Sequence, residues 1–157
     1  MQTYAGRAVD LAEPDPSTIC IDDIAAALAG ICRYNGHTRR HYSVAEHCWL
    51  ISSALERDYP NDPALAMSGL LHDAHEAYTG DITYPMQLAL GPDVIADIKR
   101  VQGRMDNAIR EALKIPAGVG VAFHDNRVKD ADRRILIDER DSLLGPSPLG
   151  PWEIERQ

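Results

Sequence analysis

Apolar residues recur every three or four positions along most of the chain, which is the spacing of one helix face. The first such run starts at Ile21 and ends at Gly30, a residue that commonly terminates helices. Ser43 and Glu46 then have the spacing of a capping box, which begins a second helix. A polar, cationic loop over residues 31–42 separates the two. The apolar stripe of the second helix contains Val44, His47, Cys48, Ile51, Ala54 and Leu55.

The same spacing predicts further helices in the rest of the chain. Asp62-Pro63 has the form of an N-cap followed by proline at the first helical position, and this helix leads through residues 72–76 to an end at 77–81. A short helix follows Pro85. A long one begins at Gly91-Pro92 and ends before Ile115, because a residue that precedes proline disfavours helical geometry. The last helix extends from about residue 126 to 144.

No stretch of useful length alternates between apolar and polar residues, so the pattern predicts an all-α fold without strands. A chain of 157 residues is long enough to bury a core as one domain. We expect a single compact helical bundle over residues 1–157, with its core at about 21–144. Residues 1–20 are expected to form an N-terminal arm, and residues 145–157 a Pro-rich tail.

Composition narrows the classes of partner and compartment. The net charge of -8 argues against binding to nucleic acid polymers or to anionic membranes. No run approaches the about 18 apolar residues of a membrane span, and the first residues do not have the pattern of a signal peptide. The three cysteines are odd in number and lack CxxC spacing, which favours a reducing cytoplasm.

Candidate chemistry is concentrated at the end of the third predicted helix, in the segment His72-Asp73-Ala74-His75-Glu76. A helix end that solvates its own polar groups is the simplest interpretation. Two inward-facing residues elsewhere favour a site instead. His47 lies on an apolar stripe, although a single inward histidine is more often a hydrogen-bonded core residue. Asp132 shares a stripe with Val128 and Ile135, and an aspartate that faces a core requires a cation.

His47, His72, Asp73 and Asp132 together offer two imidazoles and two carboxylates. This is a mixed nitrogen and oxygen set for one divalent transition metal, namely Co, Mn, Zn, Fe or Ni. Open coordination positions would accept water and a substrate oxygen. Glu76 follows His72 by four residues and can act as an acid or base. The spacing of His75 excludes an HExxH zinc protease, so His75 either supports the site from its edge or takes part in catalysis.

Four segments in this order, 43–47, 72–76, 79–81 and 128–132, resemble the HD-domain metal-dependent phosphohydrolases, whose motif is H…HD…D. The closer resemblance is to bacterial 5'-deoxynucleotidases and phage dATP triphosphohydrolases, and it covers roughly residues 24–144. It implies an all-α HD-domain bundle with one catalytic metal ion. It also implies the cytoplasm of a bacterium or of a phage-infected cell.

The resemblance also implies roles for individual residues. Glu76 would be the catalytic carboxylate, and Asp81 would either assist catalysis or hold the sugar 3'-hydroxyl. The aromatic residue that packs on deoxyribose is matched by Tyr34, for which simple loop packing is the alternative. The remaining residues implied as substrate-binding are cations that would contact phosphate: Arg33, Arg39, Arg40 and Lys129.

The expected function is hydrolysis of phosphate from 2'-deoxynucleotides, with a dATP-type triphosphohydrolase first and a monophosphate 5'-deoxynucleotidase second. Arg39 and Arg40 favour the triphosphate. A catalytically idle nucleotide-binding regulator and a helical adaptor without a ligand are the alternatives from other classes. The expected partner is the deoxynucleotide, and the sequence is compatible with a homo-oligomer.

Overall fold

The computed structural model describes residues 1–115 and 125–148, and within these ranges it contains helices and no β-strand. The all-α prediction is therefore confirmed. Short 3₁₀ turns occur at Pro16–Thr18 and Arg33–Gly36. The α-helices are α1 (Ile21–Gly30), α2 (Val44–Asp58), α3 (Pro63–Leu71), α4 (Glu76–Thr79), α5 (Tyr84–Leu90), α6 (Pro92–Ala112) and α7 (Asn126–Leu143).

The helix boundaries follow their capping residues. The Ser43 side chain accepts a hydrogen bond from the Glu46 backbone N–H, and Asp62 does the same for Leu65. Asp125 accepts from the Arg127 N–H at the start of α7. The end of α6 at Ala112 agrees with the predicted stop before the Ile-Pro pair. The loop after residue 115 and the tail beyond residue 148 lie outside the described residues, and the predicted domain limits stay a prediction.

Helix α2 is central, because it packs against α1, α3 and α7. Its contact with α3 is close at Gly69, where an added Cβ would lie 2.5 Å from Leu55 Cδ1 and 3.0 Å from Ile51 Cγ2. Both of these α2 residues belong to an apolar cluster that also includes Leu65 and Val128. A second cluster joins the first turn of α2 to α1, α4 and the C-terminal half of α6. Helix α2 therefore contributes to both parts of the core.

The predicted continuous helix through residues 72–76 is interrupted in the structure. Helix α3 ends at Leu71, and residues 72–75 form tighter turns before α4 begins at Glu76. The Ala74 N–H donates to the Leu71 carbonyl at 3.0 Å, three residues back rather than four. The break coincides with a side-chain contact, since Nδ1 of His72 lies 2.8 Å from the Gly69 carbonyl. This carbonyl would otherwise accept from the backbone of Asp73 in a continuing α-helix.

The rest of the described chain surrounds this centre unevenly. The N-terminal arm is anchored on α1, since the backbone N–H of Ala5 donates to buried Asp23 at 2.6 Å. In contrast, α5 has no buried residue, and the buried residues of α6 all lie between Met105 and Ile109. None of the helices in the described ranges is long and apolar enough to cross a membrane.

Candidate metal and catalytic site

His47 is fully buried on α2, as its position on the apolar stripe predicts. Its Nδ1 lies 2.5 Å from Glu139 Oε1 on α7. Because an ionised carboxylate can only accept, Nδ1 carries the proton and Nε2 keeps its lone pair. This Nε2 is buried and has no hydrogen-bond partner among the described residues. A buried nitrogen lone pair held in this way is suited to bind a metal ion.

His72 has the same arrangement in the turn after α3. Its Nδ1 donates to the Gly69 carbonyl, so its Nε2 is the nitrogen that is left to bind a metal ion. That Nε2 lies 3.0 Å from Asp73 Oδ2. Burial disfavours the charged imidazolium, but the Asp73 carboxylate outweighs burial and raises the pKa of His72. Two lone-pair atoms at this distance call for a cation between them, either a proton or a metal.

Three of the predicted ligands form one cluster, and the fourth, Asp132, contacts this cluster at His47. Nε2 of His47 lies 3.3 Å from Asp132 Oδ1 and 3.8 Å from Asp73 Oδ2. The ligand atoms of His47, His72 and Asp73 all lie within 4.8 Å of one another. Ligands bound at about 2.0–2.2 Å to a single ion stand about 3.0–3.6 Å apart. The separations of 3.3 Å for His47 and Asp132 and of 3.0 Å for His72 and Asp73 lie in this range, and the wider ones would shorten around a divalent transition metal. The side chain of Asp132 is 39% exposed, which opens this side of the cluster to solvent.

Two further carboxylates border the cluster. Glu76 is 9% exposed, and its Oε2 has no hydrogen-bond partner among the described residues. Burial raises the pKa of Glu76 to about 9, with further contributions from the charges of Asp73 and Asp81. Burial also raises the pKa of Asp81. Residues 72–75 turn with about three residues per turn, which places Glu76 near Asp73. The possible ligand atoms of Asp73, His75 and Glu76 lie within 4.8 Å of one another.

The predicted substrate residues Arg33 and Tyr34 are also brought to this cluster. Arg33 is largely buried, with Nη1 3.7 Å from Asp73 Oδ2 and Nε 3.4 Å from Glu139 Oε2. Burial opposes the charge of Arg33, but the two carboxylates outweigh burial and raise its pKa. The Tyr34 hydroxyl donates to Glu139 Oε2 at 2.5 Å. Tyr34 and Asn35 both have positive φ, at 55° and 51°.

The other predicted cations have no recorded contact with the cluster. Arg40 forms two hydrogen bonds with Glu46, of 2.8 and 2.6 Å. Arg39 is exposed, and its backbone N–H donates to the Leu143 carbonyl at the end of α7. Lys129 is exposed one turn before Asp132, and no partner for it lies in the described part of the chain. The phosphate-binding roles of these cations stay predictions.

His75 lies at the edge of the cluster and faces α6, with Nδ1 3.0 Å from Asp106 Oδ1. Both side chains are largely buried. The pair connects the turn that carries Asp73 and Glu76 to the C-terminal half of α6. This position favours the interpretation of His75 as a supporting residue, and its nearness to Glu76 leaves the catalytic alternative to experiment.

Sequence reasoning missed Glu139, which is almost fully buried and contacts His47, Arg33, Tyr34 and Tyr42. Burial raises the pKa of its carboxyl, but the hydrogen bond from His47 and the charge of Arg33 outweigh burial and lower the pKa to about 2. A signal was present in the sequence. Glu139 follows Asp132 by seven residues, which is two helical turns on the same face of α7.

The comparisons with known proteins agree with this geometry. Residues 31–116 match the family model of the HD domain. Uncharacterized protein YfdR of Escherichia coli (strain K12) is 34% identical over 143 residues, which are 91% of this chain and 71% of that protein. Uncharacterized protein RCAP_rcc00048 of Rhodobacter capsulatus is 35% identical over 116 residues, covering 72% of this chain and 57% of that protein.

The segment that matches the family model contains His47, His72, Asp73 and Glu76, and Asp132 lies beyond its end. HD domains bind divalent metal ions and generally act as metal-dependent phosphohydrolases. The cluster of His47, His72 and Asp73, with Asp132 beside His47, is a group of side chains that can hold such an ion. The chain belongs to the HD-domain family.

Proposed function

We propose that the protein hydrolyses phosphate from 2'-deoxynucleotides with a divalent transition metal. The observation that carries the proposal is the buried Nε2 of His47, which faces Asp73 and Asp132 and has no hydrogen-bond partner among the described residues. Burying a polar atom without a partner costs about 1–3 kcal/mol. A bound cation would remove this cost, and it would also separate the facing atoms of His72 and Asp73.

The metal would be held by His47, His72, Asp73 and Asp132. When bound, it would supply Lewis-acid chemistry that polarises a phosphoryl oxygen and activates water. Glu139 and the Gly69 carbonyl each accept a hydrogen bond from a histidine Nδ1, and this orients the Nε2 atoms of His47 and His72 towards the position of the ion. The protein side of the site is thus arranged before an ion arrives.

Glu76 is proposed to move the proton of the reaction. Burial raises the pKa of its carboxyl to about 9 in the metal-free protein, which suits a group that holds a proton and passes it to the oxygen that leaves phosphorus. Its Oε2, which has no hydrogen-bond partner in the described part of the chain, can make that contact. Asp81 is buried nearby and is proposed either to assist Glu76 or to accept a hydrogen bond from the sugar 3'-hydroxyl.

Arg33 is the cation best placed to bind phosphate. It is a permanently charged guanidinium beside Asp73, and its burial strengthens its interaction with an anion. Lys129 reaches solvent from the same helix as Asp132 and is proposed to approach the phosphate from the open side. The opposite charge of Asp73 keeps Arg33 close to the metal ligands.

Two substrates are possible within this function, a deoxynucleoside triphosphate and a deoxynucleoside monophosphate. The resemblance to phage dATP triphosphohydrolases favours a deoxynucleoside triphosphate. The placement of Arg39 and Arg40 favours a monophosphate, because Arg40 is paired with Glu46 and Arg39 has no recorded contact with the cluster. A triphosphate carries more charge to neutralise than Arg33 alone supplies.

Incubation with each dNTP, NTP and dNMP, with Co²⁺ or Mn²⁺ and with excess chelator as control, tests the proposal. We expect metal-dependent products, with inorganic triphosphate from a dNTP or inorganic phosphate from a dNMP, resolved by chromatography. Nucleotide binding by calorimetry without any product would instead support the idle regulator. Absence of both binding and turnover on the whole panel would reject a nucleotide function.

Selectivity for deoxyribose tests the proposed contact of Tyr34 with the sugar. A 2'-hydroxyl pressed on an aromatic face lacks a partner, at a cost of roughly 1–3 kcal/mol, or about 5- to 150-fold discrimination. We expect dATP to be preferred over ATP to this extent, and Tyr34→Ala to lose the preference. Tyr34→Phe is the matched control, because it keeps the ring and removes only the hydroxyl that binds Glu139. Equal turnover of dATP and ATP by the wild type would reject the contact.

A further inference from the structure

We infer that Glu139 is a positioning residue that joins the metal ligand His47 to the loop that carries Arg33 and Tyr34, so that the two halves of the site are set by one carboxylate. The inference rests on the proposed function for its substrate half only. No residue of this kind follows from the four-ligand motif. The evidence is the set of contacts that converge on the Glu139 oxygens.

Each oxygen of Glu139 serves two neighbours. Oε1 lies 2.5 Å from His47 Nδ1 and accepts from the Tyr42 hydroxyl at 2.7 Å. Oε2 accepts from the Tyr34 hydroxyl at 2.5 Å and lies 3.4 Å from Arg33 Nε. One oxygen therefore orients a metal ligand, and the other orients the proposed phosphate and sugar residues. All four neighbours present hydrogens, so the arrangement requires acceptors on both sides.

The loop depends on these contacts because its backbone is strained. Tyr34 and Asn35 are not glycines, yet both adopt the left-handed region. Such a conformation persists when surrounding contacts hold it. Tyr34 and Tyr42, near the two ends of the loop, bind the same carboxylate, and the Arg33 N–H donates to the Tyr42 carbonyl at 3.0 Å. Glu139 thus closes the loop from inside the fold.

An amide in place of the carboxylate cannot satisfy both sides. Glutamine has one acceptor oxygen and one NH₂ group, which would point donors at donors on one side. If NH₂ faces His47, the imidazole must move its proton to Nε2 and lose its ligand lone pair. If NH₂ faces Tyr34 and Arg33, the Tyr34 hydroxyl must turn to accept from the amide and Arg33 loses its anionic partner Glu139, so the anchor of the loop is weakened. Glu139→Gln keeps the size of the side chain, so it isolates this effect from packing.

The experiment compares Glu139→Gln with Asp138→Asn, which changes the neighbouring exposed carboxylate on the same helix. Metal affinity is measured by competition with a chromogenic chelator, and the His47 tautomer by ¹⁵N–¹H correlation of the imidazole in metal-free protein. Hydrogen exchange of the peptide over residues 33–42 reports on the loop. None of these readouts needs turnover, so they stay informative if no nucleotide is hydrolysed.

For Glu139→Gln we expect one of two losses. Either the affinity for Co²⁺ falls about 10–100-fold with a change of tautomer, or exchange in the loop accelerates at least about tenfold, as for a lost hydrogen bond to a charged group. Asp138→Asn should change neither. A folded Glu139→Gln protein with wild-type metal affinity, tautomer and loop exchange would overturn the inference, since it would show that Glu139 only fills space.

Tyr34→Phe is the second variant, in case Glu139→Gln does not fold. It removes one donor to Oε2 and leaves the bond to His47 in place. We expect wild-type metal affinity, faster exchange in the loop and, if the protein is active, a raised KM with little change in kcat. Unchanged exchange in this variant would overturn the coupling of the loop to Glu139.

Discussion

Polar residues are usually exposed and hydrophobic residues buried, but the residues around His47 and those of helix α5 show the opposite. His47 and Glu139 are almost fully buried although both are ionisable. On α5, Tyr84, Met86 and Leu88 are more than half exposed although all three are apolar. The comparison shows that burial in this protein follows the presence of matched partners. Each Glu139 oxygen has two neighbours, whereas within the described ranges α5 packs mainly against α6.

The free energy of burial explains why the buried ionisable residues and the exposed apolar residues are both tolerated. A charged group is tolerated inside a protein when its hydrogen bonds and charges are compensated. An exposed apolar side chain forgoes about 1.5–3 kcal/mol of burial but creates no unsatisfied group. The cluster is therefore specified by its partners, and a change at one residue should spread to the others. A change on α5 should remain local.

The largest effect is expected at Asp132, whose removal breaks the cluster without opening the core. Asp132→Ala should lose most bound metal and nearly all activity, because one ligand is gone and Nε2 of His47 loses the carboxylate 3.3 Å away. The helices should persist, since the Asp132 side chain is partly exposed. Metal stoichiometry and circular dichroism measure the two outcomes. Wild-type metal content and turnover would remove Asp132 from the site.

Glu76→Gln should separate chemistry from binding. We expect the variant to keep its metal and its nucleotide affinity while turnover falls by about 10²–10⁴-fold, the contribution of a general acid or base. Calorimetry with nucleotide and single-turnover kinetics check this. Undiminished turnover would transfer the proton-carrying role to another residue, with Asp81 and His75 as the next candidates.

The burial of Glu76 also predicts a pH dependence of stability in metal-free protein. Its pKa is about 9 in the fold and 4.5 as the ordinary value, so the folded state retains a proton that the unfolded chain releases. Stability that is present below pH 4.5 is therefore lost as the pH rises towards 9. Urea unfolding with chelator at pH 5.5 and 8.5 should show a steeper loss for wild type than for Glu76→Gln. Identical losses would contradict the shifted pKa.

The smallest effect is expected on α5, and a matched pair of leucines makes the contrast quantitative. Leu55 is fully buried on α2, and Leu88 is 65% exposed. Leu55→Ala should reduce the free energy of unfolding by about 2–5 kcal/mol, the cost of a core cavity. Leu88→Ala should change it by less than about 0.5 kcal/mol. Chemical denaturation measures both, and a large loss at Leu88 would show that α5 is stabilised by contacts beyond those described.

The fold was predictable wherever a local rule decides. Helix spacing and caps identified α1, α2 and the start of α6, and the apolar stripe of α2 placed His47 inside. The break after Leu71 was not predictable, because it accompanies a contact of the His72 side chain with the Gly69 carbonyl. Helix propensity does not describe a side chain that competes with a backbone N–H for a carbonyl.

The residues that form the cluster could be predicted, but their connections could not, and their roles as metal ligands stay predictions. His47, Asp73 and Asp132 come from separate helices or turns, and the motif identified them without distances. The pairing of Arg40 with Glu46 and the convergence on Glu139 depend on where α2 and α7 meet in space. A charged residue on an inward stripe, such as Glu139, was nevertheless visible as a residue in need of partners.

The close approach of α3 to α2 at Gly69 affects the distance between the His47 and His72 rings. Gly69 has no side chain, yet its missing methyl group lets α3 lie against Ile51 and Leu55 on the helix that carries His47. Its carbonyl fixes the ring of His72 three residues later. The 5.3 Å between the centroids of the His47 and His72 rings therefore depends on the absence of a Cβ atom at Gly69. In a mutational scan scored by metal uptake, Gly69 would group with the ligands although it offers the ion nothing to bind.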